Sequence, residues 1–490
     1  MLIPKPQSTA MHMLLLALLA GQFIIVQLLT APLFGDAPRN LHWGILTAEN
    51  PAFLAGAPDM YERIKGFPPA SPGLAERDLW KNPPGSLHRW WGPLLPLLTG
   101  AVWLATHSYT AIQLIVPLAG AMTVLLSYAL ARNMLDKQRA LLTALFLSCF
   151  PIFREYASTS YSEAFSACIL TATLLMIWKR HYVLITIFTA LTALTKMDLL
   201  VFIAGVGGIS IIYDWFKGQR RQAALSVLAI VLGILLASFW IWDHYLGGGE
   251  SGPTRGLSGG LFMLIMPQML ELLFYIPWYG ACITLAAIGA AVFMAFKSHV
   301  FTQRALLFLG SWLLLGCIVL LVYAATPGAG NSPRVLIPAL PPLAILFAGG
   351  FGALAAQWRR RIGFYLIVLF ALIGLVVTVY NAASGADMRS RSQLWQELRA
   401  QPQGYVLTDK YWETILFTRQ KATWFEGDEL FQHNIMHNSS NFEQYVRSNP
   451  IRYVVLPVQG DLASAEVRAY LEQHARRIQA GNFLLYVLPF

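Results

Sequence analysis

The sequence predicts a polytopic α-helical membrane protein that carries a small soluble α/β domain at its C-terminal end. Two observations predict the membrane part. Of the 490 residues, 56% are hydrophobic and only 12% are charged, and several apolar runs are long enough to cross the roughly 30 Å hydrocarbon core as a helix. Only helices and closed barrels satisfy all backbone hydrogen bonds in lipid, and these runs lack the alternation of apolar and polar residues that barrel strands show. The runs are therefore predicted to be helices. A third observation predicts the soluble part, because beyond residue 382 charges rise and apolar runs shorten to strand length.

Basic residues mark the short loops between the apolar runs. These loops lie at 132–139, 179–181, 217–221, 297–304 and 359–361. The positive-inside rule places them in the cytoplasm, so the formal charge of +10 reports topology rather than nucleic-acid binding. With a cytoplasmic N-terminus, about eleven spans satisfy this rule: near 13–33, 111–131, 140–152, 163–178, 183–195, 199–213, 222–242, 279–296, 305–325, 335–356 and 362–380.

Two apolar stretches do not fit as spans. If 90–107 crossed the membrane, every later basic loop would move outside, so we expect this stretch to lie along the interface or to re-enter. The stretch 261–274 is short and is interrupted by Pro267 and Glu271, and we expect it to be half-embedded. The first run, which starts near His12, lacks a suitable small-residue cleavage site, so we interpret it as a retained span and not a signal peptide.

The topology divides the chain into two expected domains. Residues 1–381 form the transmembrane domain, with a long first outer loop at 34–110, and residues 382–490 form an α/β domain on the periplasmic or extracytoplasmic side of the inner (plasma) membrane. In the second domain, "GYVLTD", "RYVVLPV" and "NFLLYVLPF" predict strands, whereas "SQLWQELRAQ" and "SAEVRAYLEQHARRI" predict helices.

The four cysteines all fall inside apolar runs: Cys149, Cys168, Cys282 and Cys317. We expect them to be small buried side chains, and they carry no information about the redox compartment.

Ionisable residues gather next to the outer ends of the predicted spans. Asp36 follows the first span, Glu163 opens the span at 163–178, and the segment "LTKMD" contributes Lys196 and Asp198. The remaining candidates are Lys81, His88, Arg89, Arg154, Tyr161, Arg255 and Arg334.

Each candidate also has an ordinary structural explanation. Lysines and arginines at span ends often extend to lipid headgroups. Glu163 could cap a helix N-terminus, Asp36 could be a solvated loop residue, and His88 could be an interfacial polar residue. Taken together, two carboxylates and several cations on one face suit the binding of an anionic lipid headgroup and the deprotonation of a neighbouring hydroxyl.

The order of these motifs resembles the GT-C glycosyltransferases that use polyprenyl-phosphate sugars, in particular the branch of protein O-mannosyltransferases and the lipid A aminoarabinose transferase. The family has an acidic pair and an arginine after span one; here "GDAPRN" keeps Asp36 and has Ala37 in place of the second acid. "WKNPPGSLHRWWGPLLPLL" is similar to its Lys-Pro-Pro motif, although Asn82 separates Lys81 from the prolines. Glu163 in "REYASTSYSEAF", Lys196 after Thr195, and Arg334 in "PRVLIPALPP" match the later motifs.

This resemblance covers roughly residues 10–380 and implies a function. The expected reaction is an inverting transfer, by a hexosyl- or pentosyltransferase of cell-envelope glycosylation, from a polyprenyl phosphate such as undecaprenyl phosphate to an acceptor hydroxyl on the outer face. Asp36 would be the base, and Glu163 would orient the acceptor or help to hold a divalent cation. Lys196, Arg334 and Arg255 would bind the donor phosphate. The cleft would be lined by Lys81, His88, Arg89, Arg154 and Tyr161.

Several points stay open at this stage. The sequence points to no certain cofactor, and a divalent cation (Mg or Mn) held by Asp36 and Glu163 is an alternative. The expected partners are the lipid-linked sugar, membrane lipids and an acceptor glycan, lipid or protein, with no nucleic acid. The glycine-rich loop at 246–260 is interpreted either as a mobile flap or as a surface linker. The rival functions are a transporter or flippase of a charged lipid or solute, and a non-catalytic assembly protein.

Overall fold

A computed structural model describes residues 9–30, 37–49, 92–239, 271, 273–274, 278–325, 333–357, 391–423, 435–448 and 451–489. The chain forms two compact units. Among the described residues, the first unit holds 9–29, 92–95 and 109–357, and the second holds 37–49, 96–108 and everything from 391 onward.

The first unit is a bundle of apolar helices joined by short turns. Its helices are α1 (Thr9–Thr30), α4 (Tyr109–Gln113), α5 (Ile115–Arg132), α6 (Lys137–Cys149), α7 (Pro151–Ala157), α8 (Ser162–Lys179), α9 (Tyr182–Thr195), α10 (Met197–Phe216), α11 (Arg220–Leu236), α12 (Trp278–Lys297), α13 (Gln303–Ala325) and α14 (Leu340–Gln357). A 3₁₀ turn at Pro333–Ala339 leads into α14.

The helices follow the predicted spans closely. By length and composition, five helices in the described part of the chain can cross a membrane, or six if the bent pair α6 and α7 is one span. Four shorter apolar helices accompany them. Pro151 opens α7, and the chain bends by 70° between the two helices, so the predicted span 140–152 is a broken one. The predicted span 362–380 and most of the stretch 261–274 lie outside the described residues.

Three predicted cytoplasmic loops meet at one end of the bundle. Asp214, near the end of α10, accepts two hydrogen bonds from Arg180, at 3.1 Å from Nε and 2.6 Å from Nη2. Arg304 at the start of α13 lies 3.8 Å from the same carboxylate and stacks over Trp178 at 4.4 Å. We call these residues the basic-end cluster: Arg180, Asp214 and Arg304. It confirms that the loops at 179–181, 217–221 and 297–304 share one side.

The helix α1 runs antiparallel to α5. Its first turns meet the far end of α5, where His12 Nε2 lies 2.9 Å from the Tyr128 hydroxyl. Toward its other end, Gln27 donates to Gln113 at 3.0 Å. The N-terminal end of α1 is therefore on the same side as the basic loop at 132–139.

The cysteine prediction is wrong for two of the four residues. Cys149 and Cys168 are buried, but Cys282 and Cys317 are exposed on the faces of α12 and α13. An apolar side chain on an outer helix face costs nothing in lipid, so burial inside the bundle is not required there. All four are free thiols.

The stretch 90–107 contains the helix α3 (Leu94–Thr106), which has 13 residues. At 1.5 Å per residue, this helix is about 20 Å long and is too short to cross the hydrocarbon core. This length agrees with the prediction that the stretch does not span the membrane.

The second unit contains a five-stranded sheet with strand order β2-β1-β3-β5-β4. The strands are β1 (Tyr405–Leu407), β2 (Lys421–Thr423), β3 (Ile451–Pro457), β4 (Arg476–Ala480) and β5 (Phe483–Val487). The first three strands in this order are parallel, and β5 pairs antiparallel with β3 and β4. β4 replaces the last part of the helix predicted from "SAEVRAYLEQHARRI", because that helix ends at His474.

Helices cover both faces of this sheet, as the continuous apolar run of β3 requires. The helix α15 (391–400) packs on one face through Leu394 and Leu398. The helices α17 (Ser439–Ser448) and α18 (Ala465–His474) pack on the other. The helix α16 (Tyr411–Thr418) joins β1 to β2, and it packs against α2 (Ala37–Glu49), which belongs to the same unit.

Candidate functional site

An ion pair between Glu163 and Arg334 forms the centre of the candidate site. Glu163 lies in the first turn of α8, where the helix dipole favours an acidic side chain. Its Oε1 is 3.4 Å from Arg334 Nε, and Ser162 Oγ donates to its Oε2 at 3.4 Å. The Glu163 side chain is 4% exposed and that of Arg334 is 25% exposed, so the carboxylate is buried while part of the arginine side chain stays accessible.

The arginine is held in place by an aromatic side chain. Its guanidinium carbon lies 5.4 Å from the centre of the Tyr161 ring, which is a cation–π distance. Tyr161 is buried and packs edge-on against Tyr156 at 4.7 Å. The sequence predicted Tyr161 as a cleft residue, and in the structure it supports Arg334.

A small pocket lies beside this ion pair. Its polar lining comes from Glu163, Ser166, Lys196 and Asp198, and its apolar lining from Leu199, Phe202, Val319, Val335 and Pro338. The pocket therefore combines a charged part, which suits an anionic group, with an apolar wall, which suits a hydrocarbon chain.

A break between α9 and α10 brings Lys196 and Asp198 into this pocket. Lys196 follows the last residue of α9 in an extended conformation, and the 3₁₀ turn Met197–Leu199 comes directly after it. Two charged side chains two residues apart thus line one pocket. Sequence reasoning assigned no role to Asp198, although its position at a helix break next to Lys196 could have indicated that it lines the same pocket. Ser166 was also missed, and it lies one turn after Glu163 on the same helix face.

The backbone at Gly92 approaches the same helix end. A side chain at Gly92 would overlap the carbonyl oxygens of Leu194 and Thr195, so the backbone here touches the last turn of α9 next to Lys196. Glycine is required at this close approach. In sequence, Gly92 follows the segment that carries His88 and Arg89.

The candidate site and the basic-end cluster lie at opposite ends of the bundle. Glu163 lies in the first turn of α8 and Lys179 is its last residue, and this helix of 18 residues extends over about 27 Å. Lys196 and Arg180 likewise lie at opposite ends of α9, which starts at Tyr182. Glu163, Lys196, Arg334 and Tyr161 therefore lie together at one end of the bundle, and the outer-face location of that end stays a prediction.

Of the remaining candidates, only Arg154 is described by the structure, and it does not line this pocket. Arg154 lies on α7, and its buried Nε has no hydrogen-bond partner among the described residues. Five candidates lie outside the described residues, so their roles stay predictions: Asp36, Lys81, His88, Arg89 and Arg255. The flap or linker at 246–260 also lies outside them.

The pocket offers only part of a metal shell. Glu163 and Asp198 carry carboxylate oxygens of the kind that Mg²⁺ and Mn²⁺ bind. In the described part of the chain, no group of three or more His, Cys, Asp or Glu residues could hold a metal ion. A cation held by Glu163 and Asp36 therefore stays a prediction that depends on Asp36.

The fold defines a multi-pass helical membrane protein with a charged pocket at one end of its bundle and a second unit built around an α/β sheet. Solved structures of ArnT and of an archaeal oligosaccharyltransferase share this fold, which confirms the fold predicted from the motif order.

Two structures of ArnT from Cupriavidus metallidurans match almost the whole chain. The apo form gives a TM-score of 0.62 at 12% identity, and the form bound to undecaprenyl phosphate gives 0.61 at 14% identity. In both cases the match covers 98% of this chain and 98% of the ArnT chain.

The oligosaccharyltransferase of Archaeoglobus fulgidus, tethered to an acceptor peptide, matches with a TM-score of 0.51 at 12% identity. This match covers 92% of this chain and 69% of the archaeal one. No family model and no curated protein matches the sequence. At these identities the likeness shows the fold alone.

Proposed function

We propose that this protein is an inverting glycosyltransferase, which moves a sugar from a polyprenyl phosphate to an acceptor hydroxyl on the extracytoplasmic face. The observation that carries the proposal is the pocket lined by Glu163 and Lys196, with the Glu163–Arg334 ion pair beside it, at the end of the bundle away from the basic-end cluster. The positive-inside rule assigns the basic end to the cytoplasm, together with the N-terminus, so the pocket would open on the other side.

The cations of the pocket suit the donor phosphate. Arg334 pairs with Glu163 through its Nε, and its side chain is 25% exposed next to the pocket that Glu163 lines. Lys196 adds a second positive charge to the lining of the pocket. A phosphate that leaves with the electron pair of the broken bond gains negative charge, and both side chains would stabilise it. Arg255 would join them.

The apolar wall suits the lipid part of the donor. Leu199, Phe202, Val319, Val335 and Pro338 line the same pocket as the charged groups. A polyprenyl chain requires such a surface directly next to its phosphate. The likeness to an ArnT structure that holds undecaprenyl phosphate supports this assignment.

The acceptor step requires a base. In a single displacement, the acceptor oxygen attacks the anomeric carbon, its proton passes to a carboxylate, and the bond from that carbon to the phosphate oxygen breaks. The configuration at carbon is then inverted, and the polyprenyl phosphate leaves as an anion. We assign the base to Asp36 and the orientation of the acceptor to Glu163.

The segment with Lys81, His88 and Arg89 would line the acceptor side of this cleft. The close approach of Gly92 to the end of α9 supports this assignment, since it brings the chain directly after that segment next to Lys196. Arg154 would contribute from α7. A divalent cation bound by Asp36 and Glu163 would neutralise the phosphate.

The test offers the full chain in membranes a panel of donors. Each donor is undecaprenyl phosphate that carries a radiolabelled hexose, N-acetylhexosamine or aminopentose. One donor should be consumed. Glu163→Gln, Arg334→Ala and Lys196→Ala should each lower its turnover about 100-fold or more, because each removes charge from the pocket or from the ion pair beside it. Asp36→Asn should lower turnover while undecaprenyl phosphate still binds.

A matched control is Lys297→Ala, which removes an exposed lysine at the end of α12, in a predicted cytoplasmic loop. It should retain wild-type turnover. Wild-type turnover in Glu163→Gln would contradict the proposal. A second contradicting result would be proteoliposomes that move a labelled lipid or solute across the bilayer and consume no donor. That result would support the transporter alternative.

A further inference from the structure

The turn between α10 and α11 presents exposed cations next to exposed aromatic side chains. The cations are Lys217, Arg220 and Arg221, and the aromatic residues Trp215 and Phe216 are 50% and 83% exposed. We call residues 215–221 the basic turn. The helix α10 is long and apolar enough to cross a membrane and ends at Phe216, so the basic turn lies where the hydrocarbon of a bilayer would give way to its headgroups.

The cations of the basic turn have no counter-charge close to them in the chain. Asp214 is the only acidic residue in the segments 179–182 and 213–221, and its carboxylate is already taken up by the basic-end cluster. In the described part of the chain, the three cations form no ion pair. The helix α11 also begins here without a side-chain cap or an acidic residue in its first turn, so its first N–H groups add to the positive end.

The conformation of the basic turn is fixed by contacts with its neighbours. Gly218 has a φ of 77°, which allows the chain to reverse directly after α10. Arg180 of the basic-end cluster donates a hydrogen bond to the Gln219 side chain. The guanidinium carbon of Arg220 lies 5.4 Å from the centre of the Trp215 ring, which is a cation–π distance. The positive charges are therefore gathered on a pre-formed turn and not on a free chain end.

This combination of groups suits one class of ligand. Arginine and lysine donate charge-assisted hydrogen bonds to phosphate oxygens. Tryptophan and other aromatic side chains favour the headgroup level of a bilayer, where one side of the ring is apolar and the other is wet. A soluble phosphate would use the cations and leave the aromatic side chains in water. An anionic phospholipid uses both, because its acyl chains continue from the phosphate into the hydrocarbon.

We propose that the basic turn is a binding site for the headgroup of an anionic phospholipid. Lys217, Arg220 and Arg221 contact the headgroup phosphate, and Trp215 and Phe216 pack against the first part of the acyl chains. The site lies at the opposite end of the bundle from the candidate pocket and is independent of the proposed function. By the positive-inside rule it takes a lipid of the cytoplasmic leaflet.

The main test is a lipid titration of the purified full chain in a neutral detergent. Phosphatidylglycerol should raise the unfolding midpoint, and the concentration dependence of the rise gives an apparent affinity. One lysine or arginine near an anionic lipid surface contributes about fivefold in affinity. The triple variant Lys217→Gln, Arg220→Gln, Arg221→Gln should therefore bind phosphatidylglycerol about 100-fold more weakly. Wild-type affinity in this variant would overturn the proposal.

The matched control is Arg139→Gln, which removes an arginine from another predicted cytoplasmic loop. Arg139 lies 3.4 Å from Asp136 and already has a counter-charge, so this variant should bind phosphatidylglycerol within about twofold of the wild type. Phosphatidylcholine carries no net charge, and with it the triple variant and the wild type should unfold at the same midpoint. This second titration checks that the substitutions, which are all at exposed positions, leave the fold intact.

A relocated charge separates a defined site from the total charge of this end. The double variant Arg220→Gln with Gln138→Arg keeps the net charge of the chain and moves one arginine to the loop at 132–139. It should bind as weakly as Arg220→Gln alone, about fivefold below the wild type. Full recovery in the double variant would show that total charge attracts the lipid, and would overturn the proposal. Trp215→Leu removes the ring under Arg220 and should weaken binding about threefold.

Glycerol 3-phosphate distinguishes a lipid headgroup from a soluble phosphate. It carries the phosphate charge without acyl chains, so at the concentration of the lipid it should leave the unfolding midpoint unchanged. A shift as large as that with phosphatidylglycerol would overturn the lipid assignment and make the basic turn a site for soluble phosphates. Donor turnover does not enter any of these measurements, so a failure of the proposed glycosyl transfer leaves this test unaffected.

Discussion

At the scale of single residues, the site depends on charges that are buried next to their counter-charges. Glu163 is almost fully buried, and it stays compatible with burial because Arg334 and Ser162 surround it and the N-terminus of α8 favours its charge. Sequence patterns predicted both charges and their common face. They could not predict that the two would pair, because more than 160 residues separate them.

His42 makes the C-terminal unit sensitive to acid. Burial, followed by the nearby positive charge of Arg419, lowers the pKa of His42 to about 3. The unfolded chain protonates this histidine near its ordinary value of 6.5, whereas the folded unit does not. The unfolded state therefore binds more protons between about pH 6.5 and 3. Stability is complete above this window and falls by up to about 1.4 kcal/mol per pH unit as the pH decreases through it.

The measurement is the unfolding midpoint of the purified full chain at several values between pH 8 and pH 4. His42→Gln should flatten this dependence, because glutamine does not titrate. Exposed His474 on α18 provides the control: His474→Gln should leave the wild-type profile unchanged. A wild-type profile in His42→Gln would contradict the prediction.

At the scale of elements, breaks in the helices matter as much as the helices. The break between α9 and α10 directs the side chains of Lys196 and Asp198 into the same pocket. The break before α7 leads the chain to Tyr161 and Glu163. Hydropathy predicted the spans between these breaks because lipid crossing imposes a length and a composition. It gave no information about which faces of the broken segments would meet.

The basic-end cluster should stabilise the opposite end of these same helices. Asp214 is 4% exposed, and it neutralises Arg180 and Arg304, which are 23% and 18% exposed. Asp214→Ala leaves two largely buried arginines without a counter-charge, so we expect a loss of about 2–4 kcal/mol. The thermal unfolding midpoint in detergent should fall accordingly.

Donor turnover at low temperature should change little in Asp214→Ala, because the cluster is at the far end of α8 from the pocket. The matched control is Asp461→Ala, which removes an exposed aspartate in the second unit and should leave the midpoint unchanged. An unchanged unfolding midpoint in Asp214→Ala would show that these ion pairs add nothing to the stability of the bundle.

At the scale of the whole molecule, topology decides what the site can reach. The proposed orientation of the chain in the membrane puts the basic end in the cytoplasm and the C-terminal unit outside. A single cysteine in place of Asp461 should therefore react with a membrane-impermeant thiol reagent in intact cells, whereas one in place of Lys297 should react only after the membrane is opened. The native cysteines are replaced by alanine in both variants. The reverse labelling pattern would place the pocket in the cytoplasm and rule out an outer-face transferase.

The sequence alone determined the membrane class, most helix positions, the α/β nature of the C-terminal unit, and the residues Glu163, Lys196, Arg334 and Tyr161 as site candidates. These follow from hydropathy, charge bias and motif order, which are properties of short segments. Only the tertiary structure decided that Asp198 and Ser166 line the pocket, that Cys282 and Cys317 are exposed, and that α2 packs with α16. The physical reason is that such contacts join distant segments, and packing selects them without leaving a local pattern.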